Sequence, residues 1–305
     1  MEEQKSIPLF DELGRLIWTD REEFRIRVIP ENVQADWDHP ENLYAFAVQL
    51  YRDGFLDEAS ESVDRILELT DRGEEALLLK GLIHHRQKNY SEAEAILKEC
   101  IHLFPNRGVA FTYLARLYAA EKKQEQMIDA LNQGLTREPN QEMALRMLVG
   151  ATPDPAHAIA LLGSFATNEE AWWPQLELGR IYLKEGNVKE AISQFCLAIQ
   201  SSCGYHEEKK DPPDWEEEIA LMTVTTLLFR HGLCDELIQM AEKYWTPQFL
   251  TPYAGLDYVA ALEEQGEIRG AIDVLNEMIA KSEEEYRVIL KLRIHHLEKK
   301  LERVS

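Results

Sequence analysis

No apolar run in the 305 residues approaches the roughly 20 that a membrane-crossing helix needs, so no membrane is expected among the partners. Basic residues are scarce: 33 lysines and arginines stand against 55 acids, a formal charge of −22 that repels phosphate backbones and anionic surfaces and makes nucleic acid an unexpected ligand. The four cysteines, Cys100, Cys196, Cys203 and Cys234, lack the close paired spacing of a zinc site and are too few for a disulfide framework. Three of them fall in helical patterns, where a free thiol packs as a small apolar residue. There is no glycine-rich phosphate loop, no nucleophile elbow and no His-Glu pair at zinc spacing. His84-His85 and His295-His296 are adjacent and point about 100° apart on a helix, a poor grip for one metal. No catalytic residue, metal or cofactor is therefore expected. The opening Met1-Glu2-Glu3-Gln4-Lys5-Ser6 is acidic where a secretory signal is basic, and the expected location is the cytoplasm.

What the chain does have is a period. Leu77, Gly81, His84, Tyr90, Ala93, Leu97, Cys100 and Pro105 recur 34 residues later as Phe111, Ala115, Tyr118, Gln124, Met127, Leu131, Gly134 and Pro139. A unit of this length cannot bury its own apolar face. Units must therefore stack into a solenoid, and the long open surface of a solenoid is suited to holding another protein.

The best-formed unit, Trp172–Cys203, carries Leu178-Gly179, Tyr182, Gly186, Ala191, Phe195 and Ala198. This set resembles the tetratricopeptide repeat, a pair of antiparallel helices. Pro40–Arg72 shows the pattern in Ala47, Leu50, Gly54, Ala59 and Val63, and Pro252–Ser282 shows it in Leu262, Gly266, Ala271, Leu275 and Met278. The resemblance implies an all-α, right-handed solenoid of about seven helix pairs. It also puts the small residues Gly179 and Ala191 where the helices of the fifth pair approach most closely.

Units are expected to start at 40, 74, 108, 142, 172, 218 and 252, so that the solenoid spans 40–282. The fourth unit is short, and Thr152-Pro153-Asp154-Pro155 cannot lie inside a helix. Between 172 and 218 the spacing exceeds the repeat, and the excess around 204–216 reads as a polar, proline-bearing loop. Residues 1–39 form a separate N-terminal module. Leu9–Trp18 is expected to be a hairpin around a glycine turn. Thr19 and Glu22 form a capping box for a helix from Asp20 that is interrupted near Pro30. The alternation of Phe24, Ile26 and Val28 with Arg25 and Arg27 makes a strand the competing reading. Residues 283–305 read as one more helix, with Tyr286, Leu290, Ile294, Leu297, Leu301 and Val304 on one stripe. Capping is its expected role, and a coiled-coil-like dimer contact is the alternative to a monomer.

In tetratricopeptide proteins the first helix of each pair lines the concave groove. The resemblance places Val109, Thr112, Arg116, Ala119 and Ala120 there, then Met143 and Arg146, then Trp173, Leu176, Arg180, Leu183 and Lys184. That set holds bases and no acid, and Arg86 and Arg230 extend it on either side. Arginine forks bind carboxylates in pairs, while Trp173, Tyr51, Phe229 and Tyr253 offer apolar anchors. The matching ligand is a partner protein or an acidic or C-terminal peptide segment. The bland reading is that the arginines pair with Glu41, Glu75, Glu142 and Glu177. Val48, Leu82 and Arg116 stand where the two-carboxylate clamp for chaperone tails needs its groove asparagines, so that mode is not expected. The sequence thus reads as a non-enzymatic interaction scaffold or adaptor. The alternatives are a receptor for a small signalling peptide and an accessory subunit of an enzyme complex.

Overall fold

The computed structural model describes residues 6–10, 14–203 and 214–304. Two strands, β1 (Ser6–Phe10) and β2 (Leu16–Asp20), pair antiparallel with Ser6 opposite Asp20 and Phe10 opposite Leu16. All other elements are helical. The chain divides into two compact units, Met1–Arg137, which includes the strand pair, and Glu138–Ser305, and each is built on a stack of helical hairpins. The first unit holds α1 (Arg21–Glu23), a π-helical turn (Phe24–Val28), α2 (Ile29–Ala35) and three hairpins. These are α3 (Pro40–Asp53) with α4 (Leu56–Leu69), α5 (Glu74–Arg86) with α6 (Tyr90–Leu103), and α7 (Val109–Ala120) with α8 (Gln124–Arg137). The second unit holds four hairpins and a last helix. They are α9 (Glu142–Gly150) with α10 (Pro155–Phe165), α11 (Trp172–Lys184) with α12 (Val188–Ser202), α13 (Trp215–Arg230) with α14 (Cys234–Tyr244), α15 (Tyr253–Glu264) with α16 (Ile268–Lys281), and then α17 (Glu284–Val304).

The N-terminal module is a hairpin followed by a helix, and Phe24, Ile26 and Val28 lie in the helical part rather than in a strand. The cap is Asp20, whose carboxylate accepts the Glu22 N–H at 2.8 Å, and not Thr19, whose hydroxyl reaches Glu23 instead. Pro30 does not interrupt the helix. The turn before it widens, with the Ile29 N–H bonding the Phe24 carbonyl, and Pro30 falls at the start of α2, where a missing N–H is tolerated. Phe24 and Ile29 are buried in the unit's core, and the Phe24 ring lies 5.5 Å from Phe55. Arg21 stacks on Phe55 and donates to the Asp53 carbonyl at 2.7 Å, tying the module to the α3–α4 turn. Of the expected hairpin turn, residues 11–13 lie outside the described residues, as do 204–213 of the loop expected at 204–216. Trp215 and Glu216, expected in that loop, open α13.

Six of the seven helical hairpins turn through one left-handed residue, and the α9–α10 connection has none. Gly54 (φ 82°), Gly186 (78°), Gly232 (69°) and Gly266 (80°) serve four pairs, but Lys88 (65°) and Lys122 (62°) hold the same place in α5–α6 and α7–α8. The backbone motif is shared: the Phe55 N–H bonds Leu50 O, Asn89 bonds His84 O and Lys123 bonds Tyr118 O, each across five residues. Left-handed geometry costs an L-residue about 1–2 kcal/mol, and glycine's extra chain entropy returns roughly half of that. Lys88→Gly and Lys122→Gly are therefore expected to stabilise the protein by up to about 1 kcal/mol each, read as a rise in the urea midpoint. A fall would show that the lysine side chains contribute more than their backbone costs.

Between the helices of a pair, spacing is set by small residues. A Cβ added at Gly179 would lie 2.2 Å from Cε1 of Phe195, and one at Gly81 would lie 2.9 Å from the Leu97 side chain. The neighbour of Gly179 is thus the Phe195 ring, one turn beyond the buried Ala191. At the end of the second unit α17 packs on α16, with Leu290 and Leu297 buried and Tyr286, Ile294 and Leu301 half-buried against the same core. Glu263 of α15 binds Arg293 and Lys300 of α17, which fixes the helix at its polar edge.

His84 and His85 lie half-buried in α5, and His84 Nδ1 and His85 Nε2 have no partner among the described residues. Burial first, then Lys80 beside His84 and Arg116 beside His85, pushes both imidazoles below their ordinary range, against a smaller opposing pull from Glu92 on His84. The unfolded chain then binds more protons than the folded one, so their contribution is complete above about pH 6.5 and is lost as pH falls below it. Hydrogen exchange at pH 7 and pH 5.5 should show protection of α5 and α6 falling on acidification. Equal protection at both would refute a role for these histidines.

Candidate functional site

The first helices of the second unit's hairpins run side by side in one direction. Asn140, just ahead of α9, accepts the backbone N–H groups of Trp172 and Trp173 at 2.9 and 3.1 Å, and further along α9 Arg146 reaches Glu177 at 3.7 Å. Buried Glu218, in the first turn of α13, accepts the N–H groups of Leu250 and Thr251 ahead of α15 at 2.7 and 2.8 Å. Further along, Thr225 and Thr226 donate to Oδ2 of Asp257 in α15 at 3.0 and 2.8 Å. Pairing at both ends fixes the parallel order of α9 with α11 and of α13 with α15, and it leaves each helix a partly accessible face.

These faces enclose an open cavity of about 780 Å³. Its floor is α13, which contributes Trp215, Ile219, Met222, Thr223, Thr226, Leu227 and Arg230, a single helical stripe. Glu142 and Arg146 of α9 and Trp173 and Arg180 of α11 close one side; Tyr253, Leu256 and Asp257 of α15 close the other. Trp215 and Tyr253 are more than half exposed, at 52% and 53%. Trp173 is half-buried and stacks on the buried Trp172 with ring centroids 4.8 Å apart, so its plane is held in place.

The charges are less one-sided than the arginines alone suggest. Arg180 Nη1 donates to Glu177 at 2.7 Å, and Arg146 Nη2 donates to Glu142 at 2.8 Å. Glu177 is only 5% exposed, and burial pushes its carboxyl above the ordinary range against the opposing pull of Arg180 and Arg146. Two of the three cavity arginines therefore neutralise carboxylates of the protein itself, and Asp257 adds a further acid. Arg230, exposed at the end of α13, has no ion pair among the described residues.

The structure thus brings Arg146, Trp173, Arg180 and Arg230 to one cavity. Lys184 is exposed further along α11 and does not line it. Arg86 and Arg116 belong to the first unit. Arg86 lies 5.2 Å over the Tyr51 ring and donates to the Tyr51 carbonyl at the end of α3; Arg116 lies 5.8 Å from the Tyr113 ring. Leu176, Leu183 and Thr112, expected to face the groove, are buried, and Phe229 packs against the core. Apart from Leu256 and Asp257 of α15, the cavity residues that sequence reasoning missed are those of α13 other than Arg230. Their signal was present, because Ile219, Met222, Thr223, Thr226, Leu227 and Arg230 follow Trp215 at helical spacing.

Residues 44–107 and 175–202 match tetratricopeptide-repeat family models, the first covering most of α3 through α6 and the second most of α11 and α12. The chain carries tetratricopeptide repeats. Among solved structures it is similar to yeast Tom70, at 14% identity and a TM-score of 0.49 over 90% of this chain and 58% of that one. It is also similar to the Naa15/Naa10 complex bound to HypK, at 18% identity and 0.38 over 85% and 39%. PilF of Pseudomonas aeruginosa is similar at 14% and 0.39 over 75% and 97%. The chain thus spans little more than half of the Tom70 chain and well under half of the Naa15/Naa10 one. No curated protein matches it. Among the described residues no helix is long and apolar enough to cross a membrane.

Proposed function

We propose that the protein is a non-enzymatic interaction scaffold that holds a segment of a partner protein in the cavity lined by α9, α11, α13 and α15. The observation that carries this reading is the pairing of exposed aromatic rings, Trp215 and Tyr253, with a guanidinium, Arg230, that has no ion pair among the described residues, around one concave surface of roughly ligand-site size. Exposed aromatics and arginine are the side chains that dominate binding energy at interfaces, and here no packing role accounts for their exposure. Tetratricopeptide repeats at 44–107 and 175–202 support the general role.

The test is crosslinking in native lysate with mass spectrometry, comparing wild type with the Trp215→Ala, Arg230→Glu double variant. Both positions are exposed, so the variant is expected to melt within about 0.5 kcal/mol of wild type. The expected result is loss of the principal partner by at least ten-fold. Retention of every partner by the folded double variant would move the interaction to another surface.

A further inference from the structure

Resting on that assignment, we infer that the cavity takes a linear segment whose apolar side chains and carboxylates are segregated to opposite ends. Trp215 and Tyr253 are the first residues of α13 and α15, and Trp173 is the second of α11. Because these helices run in one direction, the three rings share one end of the cavity. Arg230 is the last residue of α13, fifteen positions beyond Trp215, which is about 22 Å at 1.5 Å per residue. An extended chain covers that span in about seven residues.

The electrostatics point the same way. The first turn of α13 is Glu216-Glu217-Glu218, so the aromatic end repels a ligand carboxylate despite the helix N-terminus there. Arg146 and Arg180 are engaged with Glu142 and Glu177, which leaves Arg230 as the cavity arginine with no carboxylate among the described residues. A carboxylate on the segment is therefore attracted to the far end and disfavoured at the near one. Between the two, Asp257 is held through Oδ2 by two threonine hydroxyls, while its Oδ1 has no donor among the described residues. It is an acceptor placed for a backbone N–H of the segment as it passes over Met222 and Leu256.

The experiment titrates the full chain, by calorimetry and tryptophan fluorescence, with two synthetic decapeptides of identical composition. One has leucine and phenylalanine in one half and glutamates in the other; the second has the same residues interspersed. The segregated peptide should bind at least ten-fold more tightly, and Arg230→Glu should remove that advantage. Equal affinities on wild type would overturn the segregation and leave the cavity as a binding surface. If neither peptide binds while the double variant still loses its lysate partner, the occupant is not a linear segment and this inference falls, but the function proposed above stands. If neither binds and the variant keeps its partner, both fail.

Discussion

Deleting residues 283–305 is expected to make the second unit aggregate or unfold from its C-terminal end. The helix removed, α17, buries Leu290 and Leu297 completely and half-buries Tyr286, Ile294 and Leu301 against α15 and α16. Each fully buried leucine contributes roughly 1.5–3 kcal/mol, so the two leucines alone represent about 3–6 kcal/mol, a large share of a domain's usual stability. The deletion also strips Arg293 and Lys300 from Glu263, whose carboxyl burial pushes up and those groups together hold below its ordinary range. The outer face of α17 carries Val288, Ile289 and Leu292, all 60% exposed or more, and so gives the dimer alternative a physical surface. The two ideas separate by face. Leu290→Ala with Leu297→Ala should lower the melting temperature sharply, whereas Ile289→Asp with Leu292→Asp should leave it unchanged. Light scattering on the full and truncated chains completes the test: a soluble, monomeric truncation of a dimeric parent would retire the cap.

The repeat was legible in the sequence because its spacing rests on residues whose size is the message. Helices begin at Pro40, Glu74, Val109 and Glu142, each within a residue of the position the period indicates, and at Trp172 and Tyr253, within a residue of the starts read from the motif residues. The start at 215 was not legible from the period, since the inserted segment shifts the unit. Local chemistry marks it instead: Asp214 follows two prolines and precedes three glutamates, a helix start with an acidic first turn. Reading Trp215 as loop hid the stripe that forms the cavity floor.

The charge balance of the cavity was legible only as the alternative in which the arginines pair with Glu142 and Glu177, and the sequence could not choose it. Glu177 lies three residues before Arg180, and the pairing is available to any such sequence at little consequence when exposed. Only the packing of α11 buries that carboxylate and so commits Arg180 to it, with Arg146 reaching in from α9. Arg180→Glu would set a second carboxylate against a buried one. It is therefore a stability variant, and Arg230 is the position that probes binding.

Gly179→Ala, a single added methyl, is expected to destabilise the second unit by about 1–3 kcal/mol, the usual consequence of overpacking a close helix contact. The new carbon would sit 2.2 Å from Cε1 and 2.6 Å from Cδ1 of Phe195, far inside contact distance. The ring cannot swing away cheaply, because Phe195 is wholly buried in the core cluster that also holds Leu176, Ile199 and Val224. Alanine's better helix propensity, worth about 0.5–1 kcal/mol, offsets only part of this. Gly163→Ala in α10 meets no atom within 4 Å and so isolates the propensity gain, with a neutral or raised stability expected. The double-mutant cycle makes the cause specific. Phe195→Leu alone should destabilise by leaving a void, but combined with Gly179→Ala the loss should be smaller than the sum of the two, since the void and the methyl compensate. Strict additivity in urea unfolding would mean that the ring and the glycine do not meet, and the register of α11 against α12 would have to be redrawn.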